Sequence, residues 1–344
     1  MNLPATNVSL AFGLPAAWYH DPQIYERERQ AVFRREWIWL GRADQLSNPG
    51  DYIASEFAGW RLFAIRDRDG ALHAFHNVCR HRGAPILKDG PGRCDVLRCG
   101  YHGWTYDTAG RLRATPHFGN AVDFDKKDFG LHPIRVATWR GFVFVNLAED
   151  PVPLVEGLGD LCGKLNPIRS KTIASSARKC SRWTATGRSI PTTTSRATTS
   201  PASIRPSTPS SISRSSLPRA ATARSSCEAP QKDGAVYSGT WLWRYPNMTL
   251  STFPGGMNIS RIVPLGPRRV RQYYNFLFAD TSPDALERHR RTMAWTCNVI
   301  REDFAICEGT QANLEAGIFT QGPLSPRHED GVRYYHELLR RALA

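Results

Sequence analysis

Between Trp37 and Asp150 the chain is a succession of short apolar or alternating runs: WIWLGRADQL, DYIASEFAGW, RLFAIRD, ALHAFHNV and GFVFVNLAED. Runs of this length, rich in aromatic and branched side chains and bounded by turn residues, predict β-strands. Asp69-Gly70, between the third and fourth runs, predicts a tight hairpin. Ahead of them, PQIYERERQAVFRREW spaces its apolar residues as a helix does, and Asp21-Pro22 is a helix start, so a helix covering a β-barrel is expected. ALERHRRTMAWTCNVIREDFAICEGTQANLE, near the C-terminus, predicts one long helix. TWLWRYPNMTLSTFPGG reads as strand, with Trp241, Trp243, Tyr245 and Phe253 either lining a pocket or filling a core.

One stretch has neither period. TATGRSIPTTTSRATTSPASIRPS, residues 184–207, holds no acidic residue, no Tyr, Phe, Val or His. Its composition also explains the charge of the whole chain. The formal net charge is +14, which by itself would point to nucleic acid or an anionic membrane. Eight arginines and Lys179 fall within residues 178–227 without one Asp or Glu, so this segment supplies most of the excess. It lacks the interleaved aromatics of a single-strand-binding groove, and no nucleic-acid partner is expected. No run reaches the roughly 20 apolar residues of a membrane span, and MNLPATNVSLAFGLPAAWYHDP lacks the basic start and long apolar stretch expected of a signal peptide. A cytoplasmic protein with no membrane partner is expected.

In such a chain eight cysteines point to metal before disulfides. CRHRGAPILKDGPGRCDVLRCGYHGWTY sets Cys79-x-His81 in one loop and Cys99-x-x-His102, seventeen residues later, in a second. Two thiolates and two imidazoles on Gly/Pro-containing loops suit either zinc or a two-iron cluster. Cys94 lies outside the pattern and reads as a bystander. Tyr101 and Trp104 read as packing aromatics, and His73 and His76 as ordinary strand histidines.

CRHRG followed by CGYHGW resembles the Rieske motif of ring-hydroxylating oxygenases. With GFVFVNL, YPNMTLSTFPGGMNISRIVPLGP and EDFAICEGTQANLEAG in that order, nearly the whole chain resembles the alpha subunit of Rieske non-heme iron oxygenases. The resemblance implies an α+β chain: an N-terminal helical segment at 1–36, an all-β Rieske [2Fe-2S] domain at 37–150 and a helix-grip catalytic domain at 151–344. It implies Cys79, His81, Cys99 and His102 as cluster ligands. It also implies a mononuclear Fe(II) held by two His and one Asp, with Asp303 as that Asp and Glu308 as a neighbouring group on its helical face. The family takes electrons from NAD(P)H through a ferredoxin or flavin reductase. It uses dioxygen to hydroxylate, dihydroxylate or demethylate a small organic substrate, and it assembles as homotrimers. The WRYPNMTLSTFPGG stretch resembles the branch acting on choline, betaine-like or aromatic carboxylate substrates.

The two iron-binding histidines do not carry over. The family places them as H-x-x-x-x-H soon after the Rieske domain, yet no His occurs between His132 and His289. The odd tract stands there instead, at about the expected length, and family sequence resumes at TWLWRYPNMTL. The genetic code offers a reason. If each true codon took the third base of one residue and the first two of the next, Thr would leave only Tyr, His, Asn or Asp at its junction. Ser written TC would leave Phe, Leu, Ile or Val. Read so, the tract admits the family pattern at every junction, with His possible across Thr198/Thr199 and Ser203/Ile204, five apart. A shifted frame over about 175–230 is expected, with disorder there and no mononuclear iron. The other reading is a [2Fe-2S] electron carrier without oxygenase activity.

Overall fold

The computed structural model describes residues 9–159, 181–186, 222–227, 239–253, 255–326 and 329–344. The chain divides into two compact units, one of residues 33–159 and one that joins residues 1–32 to 160–344.

The first unit is built from the strands the apolar runs predict. β2 (Ile38–Arg42), β3 (Asp51–Phe57), β4 (Trp60–Arg66) and β5 (Leu72–His76) follow in order, and β10 (Arg135–Trp139) and β11 (Phe142–Asn146) close the unit. Between them lie the short strands β6 (Gly90–Arg93), β7 (Leu97–Arg98), β8 (Thr105–Tyr106) and β9 (Leu112–Ala114). They form three antiparallel sheets, ordered β10-β11-β2, β5-β4-β3-β6 and β7-β8-β9. β11 is buried at every position, as an apolar run without alternation should be. One core runs from Phe63, Ile65 and Phe75 through Leu97, Trp104 and Tyr106 to the sulfurs of Cys79 and Cys99. The ligand loops are therefore mounted on this core.

Two hairpins of this unit use one device. Asp67 accepts from the backbone N–H groups of Asp69 and Ala71, and Asp107 accepts from those of Ala109 and Arg111. Gly70 and Gly110 follow each Asp by three and take φ of 84° and 83°, a region glycine enters without a Cβ clash. The second oxygen of each carboxylate then binds a side chain six residues on, His73 at 2.7 Å and Arg113 at 2.9 Å. The two strand histidines thus have structural settings: His73 pairs with Asp67, and the backbone N–H of His76 donates to His132 O.

In the second unit a six-stranded antiparallel sheet is ordered β12-β17-β16-β15-β14-β13. These are β12 (Ser181–Thr186), β13 (Thr222–Cys227), β14 (Gly239–Arg244), β15 (Met248–Phe253), β16 (Gly256–Pro264) and β17 (Arg269–Phe278). The predicted long helix is α3 (Leu286–Glu315), whose Met293, Ile300, Phe304 and Cys307 pack on Ile262, Val270, Tyr274, Phe276 and Phe278 of the sheet. The helix positions are seven, four and three residues apart, whole turns of an α-helix, and those of β17 are separated by even numbers, so each element offers one apolar face. The short helix α2 (Leu154–Leu158) ends the first unit, and α4 (Asp330–Leu343) ends the chain. No described helix is long and apolar enough to cross a membrane.

Two expectations change. The predicted N-terminal helix forms as α1 (Pro22–Glu28) and is capped by Asp21, whose carboxylate accepts from Gln23 N at 2.7 Å. It runs on as a π-helical turn over Arg29–Phe33. The segment up to Val32, however, belongs with the second unit: Arg27 donates to Leu343 O, and β1 (Ala11–Phe12) pairs with β18 (Pro323–Leu324). Helical spacing reveals an apolar face but not which body will cover it. The expectation of disorder across 175–230 also fails at two segments. Ser181–Thr186 pairs with β17 and Thr222–Cys227 with β14, at the two edges of the sheet. Edge pairing uses backbone groups, which any residue but proline offers, and neither segment contains one. The remaining expectation of disorder falls on residues outside those described.

Candidate metal centre

The two ligand loops repeat one backbone pattern. Cys79 N donates to Ala84 O and Gly83 N to Cys79 O; twenty residues on, Cys99 N donates to Trp104 O and Gly103 N to Cys99 O. Gly83 and Gly103 close the turns with φ of 75° and 72°. The first loop is further held by the buried Asn77, whose Oδ1 accepts from Ile86 N and Leu87 N while Nδ2 donates to Leu87 O. Nothing in the local sequence marks Asn77 for this work; its partners lie nine and ten residues away.

These loops bring the four predicted residues together. Cys79 and Cys99 are buried free thiols, close enough that Cys99 raises the cost of ionising Cys79. The rings of His81 and His102 meet at 4.6 Å, and the Nδ1 atoms of both are buried without a hydrogen-bond partner. Two orphaned imidazole nitrogens beside two buried thiols is a donor set that a metal group completes. Burial, then His102 and Arg82, lower the His81 pKa and keep its ring neutral, as a ligand must be. Burial raises the Cys79 pKa, opposed by hydrogen bonds from the Tyr106 hydroxyl and the His81 N–H.

Among the described residues no three or more His, Cys, Asp or Glu converge as on a single ion. A two-iron cluster takes two protein ligands per iron, which two thiols and two imidazoles can supply. The arrangement fits the cluster.

The surrounding aromatics divide by role. Trp104 is buried and stacks on His81, with planes 6° apart and centroids at 4.9 Å. Tyr101 is 60% exposed and lies over His102 at 3.7 Å, so it caps a ligand at the surface rather than packing in a core. Tyr106 was not singled out by the sequence. It is fully buried, its hydroxyl accepts from Arg80 N at 3.0 Å, and it lies at hydrogen-bond distance, 3.3 Å, from Cys79 Sγ. Cys94 is outside this group; its backbone bonds Gly50, and burial pushes its thiol up to about 11.

In the second unit Asp303 stands on α3, half-buried, and near Tyr274. Burial and then Glu302 push its carboxyl up to about 6. Glu308 is exposed and, five residues on, is turned by about 140° from Asp303, so the two do not share a face. No described group of three ligands includes Asp303. A mononuclear iron does not fit the residues described here. Trp243, Tyr245 and Tyr335 meet one another at 5.1 to 6.2 Å, the spacing of rings in direct contact, with Tyr245 buried and the other two partly so. Phe253 packs on Phe278, against the core.

A Rieske [2Fe-2S] domain model matches residues 36–137, and the catalytic domain of ring-hydroxylating alpha subunits matches 175–344. The chain belongs to the Rieske oxygenase alpha subunit family, oxidoreductases that pair a [2Fe-2S] cluster with mononuclear iron. It is similar to the carnitine monooxygenase oxygenase subunit of Acinetobacter pittii, 27% identical over 97% of this chain and 95% of that protein. It is equally similar to the chloroplastic choline monooxygenase of Arabidopsis thaliana, at 27% over 94% of this chain and 82% of the relative. In fold it matches the structure of a quaternary ammonium Rieske monooxygenase, with TM-score 0.81, 23% identity and full coverage of both chains.

Proposed function

We propose that Cys79 and Cys99 hold one iron of a [2Fe-2S] cluster and that His81 and His102 hold the other through Nδ1. The observation that carries this is the pair of buried, unpartnered Nδ1 atoms beside two buried thiols. When bound, the cluster accepts and passes on single electrons. Trp104 fixes the His81 plane, Tyr106 donates to the Cys79 sulfur and offsets its negative charge, and the glycine turns present the ligands from one rigid core.

The encoded enzyme is read as a monooxygenase of a quaternary ammonium substrate, as the carnitine and choline relatives are named. Domains at 37–150 and 151–344, a trimeric assembly, a cytoplasmic setting and a ferredoxin or flavin reductase drawing on NAD(P)H belong to the same reading. The chain as written is read as inactive, because Asp303 lacks its two histidine partners and the tract that should supply them is out of frame. The second reading, an electron carrier without oxygenase chemistry, rests on that absence of a described triad.

Iron and labile sulfide, measured on purified protein, test both readings. Two irons and two sulfides per chain, with no oxidation of carnitine, choline or glycine betaine when a reductase is supplied, are expected. A third, mononuclear iron would overturn the claim of inactivity, and zinc in place of iron would overturn the cluster. Restoring the frame across 175–230 should add the third iron and bring turnover of one of the three substrates.

A further inference from the structure

The N-terminal segment is tied across the end of the second unit by an unusually complete set of bonds. Gly13 N donates to Gly322 O at 2.9 Å and Ala16 N to Thr320 O at 2.8 Å. Arg340 donates to the carbonyls of Phe12 and Gly13, and Gln321 Nε2 adds a second donor to Gly13 O. Gln311, on the helix that carries Asp303, reaches Tyr19 O. At the centre stands His336 of α4, 2% exposed, with Nε2 3.2 Å from the Tyr19 hydroxyl.

The other ring nitrogen has nowhere to put a proton. His336 Nδ1 is buried and makes no hydrogen bond. It faces the α-carbon of Gly13, where an added Cβ would stand 4.0 Å from Nδ1 and 3.6 Å from Cε1. A bare lone pair against a CH2 group costs little. A buried N–H without an acceptor, carrying positive charge, costs a great deal. The charged neighbour is Arg340, one turn along α4, which adds repulsion; Tyr19 and Tyr335 face the ring with neutral hydroxyphenyl groups, and no carboxylate acts on it.

We propose that residues 9–20 form an acid-releasable strap, held on α4 and on the C-terminal end of α3 only while His336 is neutral, so that protonation at Nδ1 detaches it. Burial first, and Arg340 second, lower the His336 pKa from its ordinary value to about 4 in the docked state. A released histidine titrates near 6.5, so docking is at full strength above that pH. It weakens about tenfold for each unit below it, until the docked ring itself takes up the proton. Release frees Gln311 from Tyr19 and thereby loosens the last turns of the Asp303 helix, a local opening rather than global unfolding.

The test is amide hydrogen exchange of the full chain at several pH values from 7.5 to 4.5, corrected for intrinsic rates. Protection of the Gly13 and Ala16 amides should fall about tenfold per pH unit below 6.5, while that of Ala54 and Ala64, in the β3–β4 ladder of the other unit, stays level. His336→Phe, which keeps the ring volume, should abolish the slope; Tyr19→Phe should lower protection at every pH and leave the slope. A flat wild-type profile, or an unchanged slope in His336→Phe, would overturn the proposal. If His336→Phe does not fold, the NMR titration of His336 decides: a midpoint near 6.5 in the docked state overturns it, and one well below supports it.

Discussion

Tyr106 shows how a single atom sets an electronic property. Its hydroxyl lies 3.3 Å from Cys79 Sγ, and on the proposed cluster a hydrogen bond donated to that sulfur would stabilise the more negative, reduced state. Tyr106→Phe should therefore lower the reduction potential, by on the order of tens of millivolts if the bond is worth about 1 kcal/mol, with cluster content unchanged. Protein-film voltammetry reads this directly; an unmoved potential would remove Tyr106 from the role. Asp67 shows a single residue setting acid stability. Burial alone would raise its pKa, but His73 and the N–H groups of Ala71 and Asp69 outweigh that and leave it lowered. A carboxylate depressed by folding contributes stability that is complete above its unfolded pKa and is lost as pH falls through the folded value. Asp67→Asn should cost about 1–3 kcal/mol near neutrality and less as pH drops through that window, as pH-dependent denaturant melts would show.

At the scale of elements, the ligand loops and the two Asp hairpins each reuse one solution. Gly83 and Gly103 stand in the left-handed region, where an L side chain costs roughly 1–2 kcal/mol. An added Cβ meets nothing within 4 Å at Gly83 and only Pro116 and Arg98 side-chain atoms, at 3.5 Å or more, at Gly103. Gly83→Ala and Gly103→Ala should thus destabilise through backbone strain alone, shift the ligand loops and lower iron content; unaltered iron and melting temperature would show that the turns tolerate Cβ. Asp21→Ala should cost about 1 kcal/mol by uncapping α1, visible as a lower melting temperature of the second unit. These elements also mark how far sequence reading reached. β2–β5 and β11 of the first unit, the extent of α3 and the cap of α1 were legible because they depend on local period and neighbouring turn residues; β6–β10, most of them two to four residues long, were not. The assignment of α1 to the second unit was not, since Arg27 meets Leu343 across the full length of the chain. Nor was Asn77, whose value comes from where a loop folds back. Glu308 was placed beside Asp303 by proximity in sequence, and helical rotation separates them.

For the whole molecule, most of the charge excess comes from one segment, and on the shifted-frame reading the metal content depends on it too. Nine of its positive charges lie within residues 178–227, so restoring the frame should bring the isoelectric point down from the sequence value of about 9.7. Isoelectric focusing beside iron analysis would register both changes in one preparation; a frame-restored chain that stays as basic, or gains no iron, would count against the shifted frame. By itself the amino-acid sequence determined the ligand types and their spacing, the family, and the absence of a histidine pair, because each is a property of residue identity and order. Tertiary structure alone decided that the two loops leave two thiols and two imidazole nitrogens buried, that Tyr106 reaches a sulfur 27 positions away, and that the chain's N-terminal segment docks around a buried histidine near its end. Those outcomes depend on which surfaces exclude water together, and no local pattern of hydrophobic and polar residues contains that information.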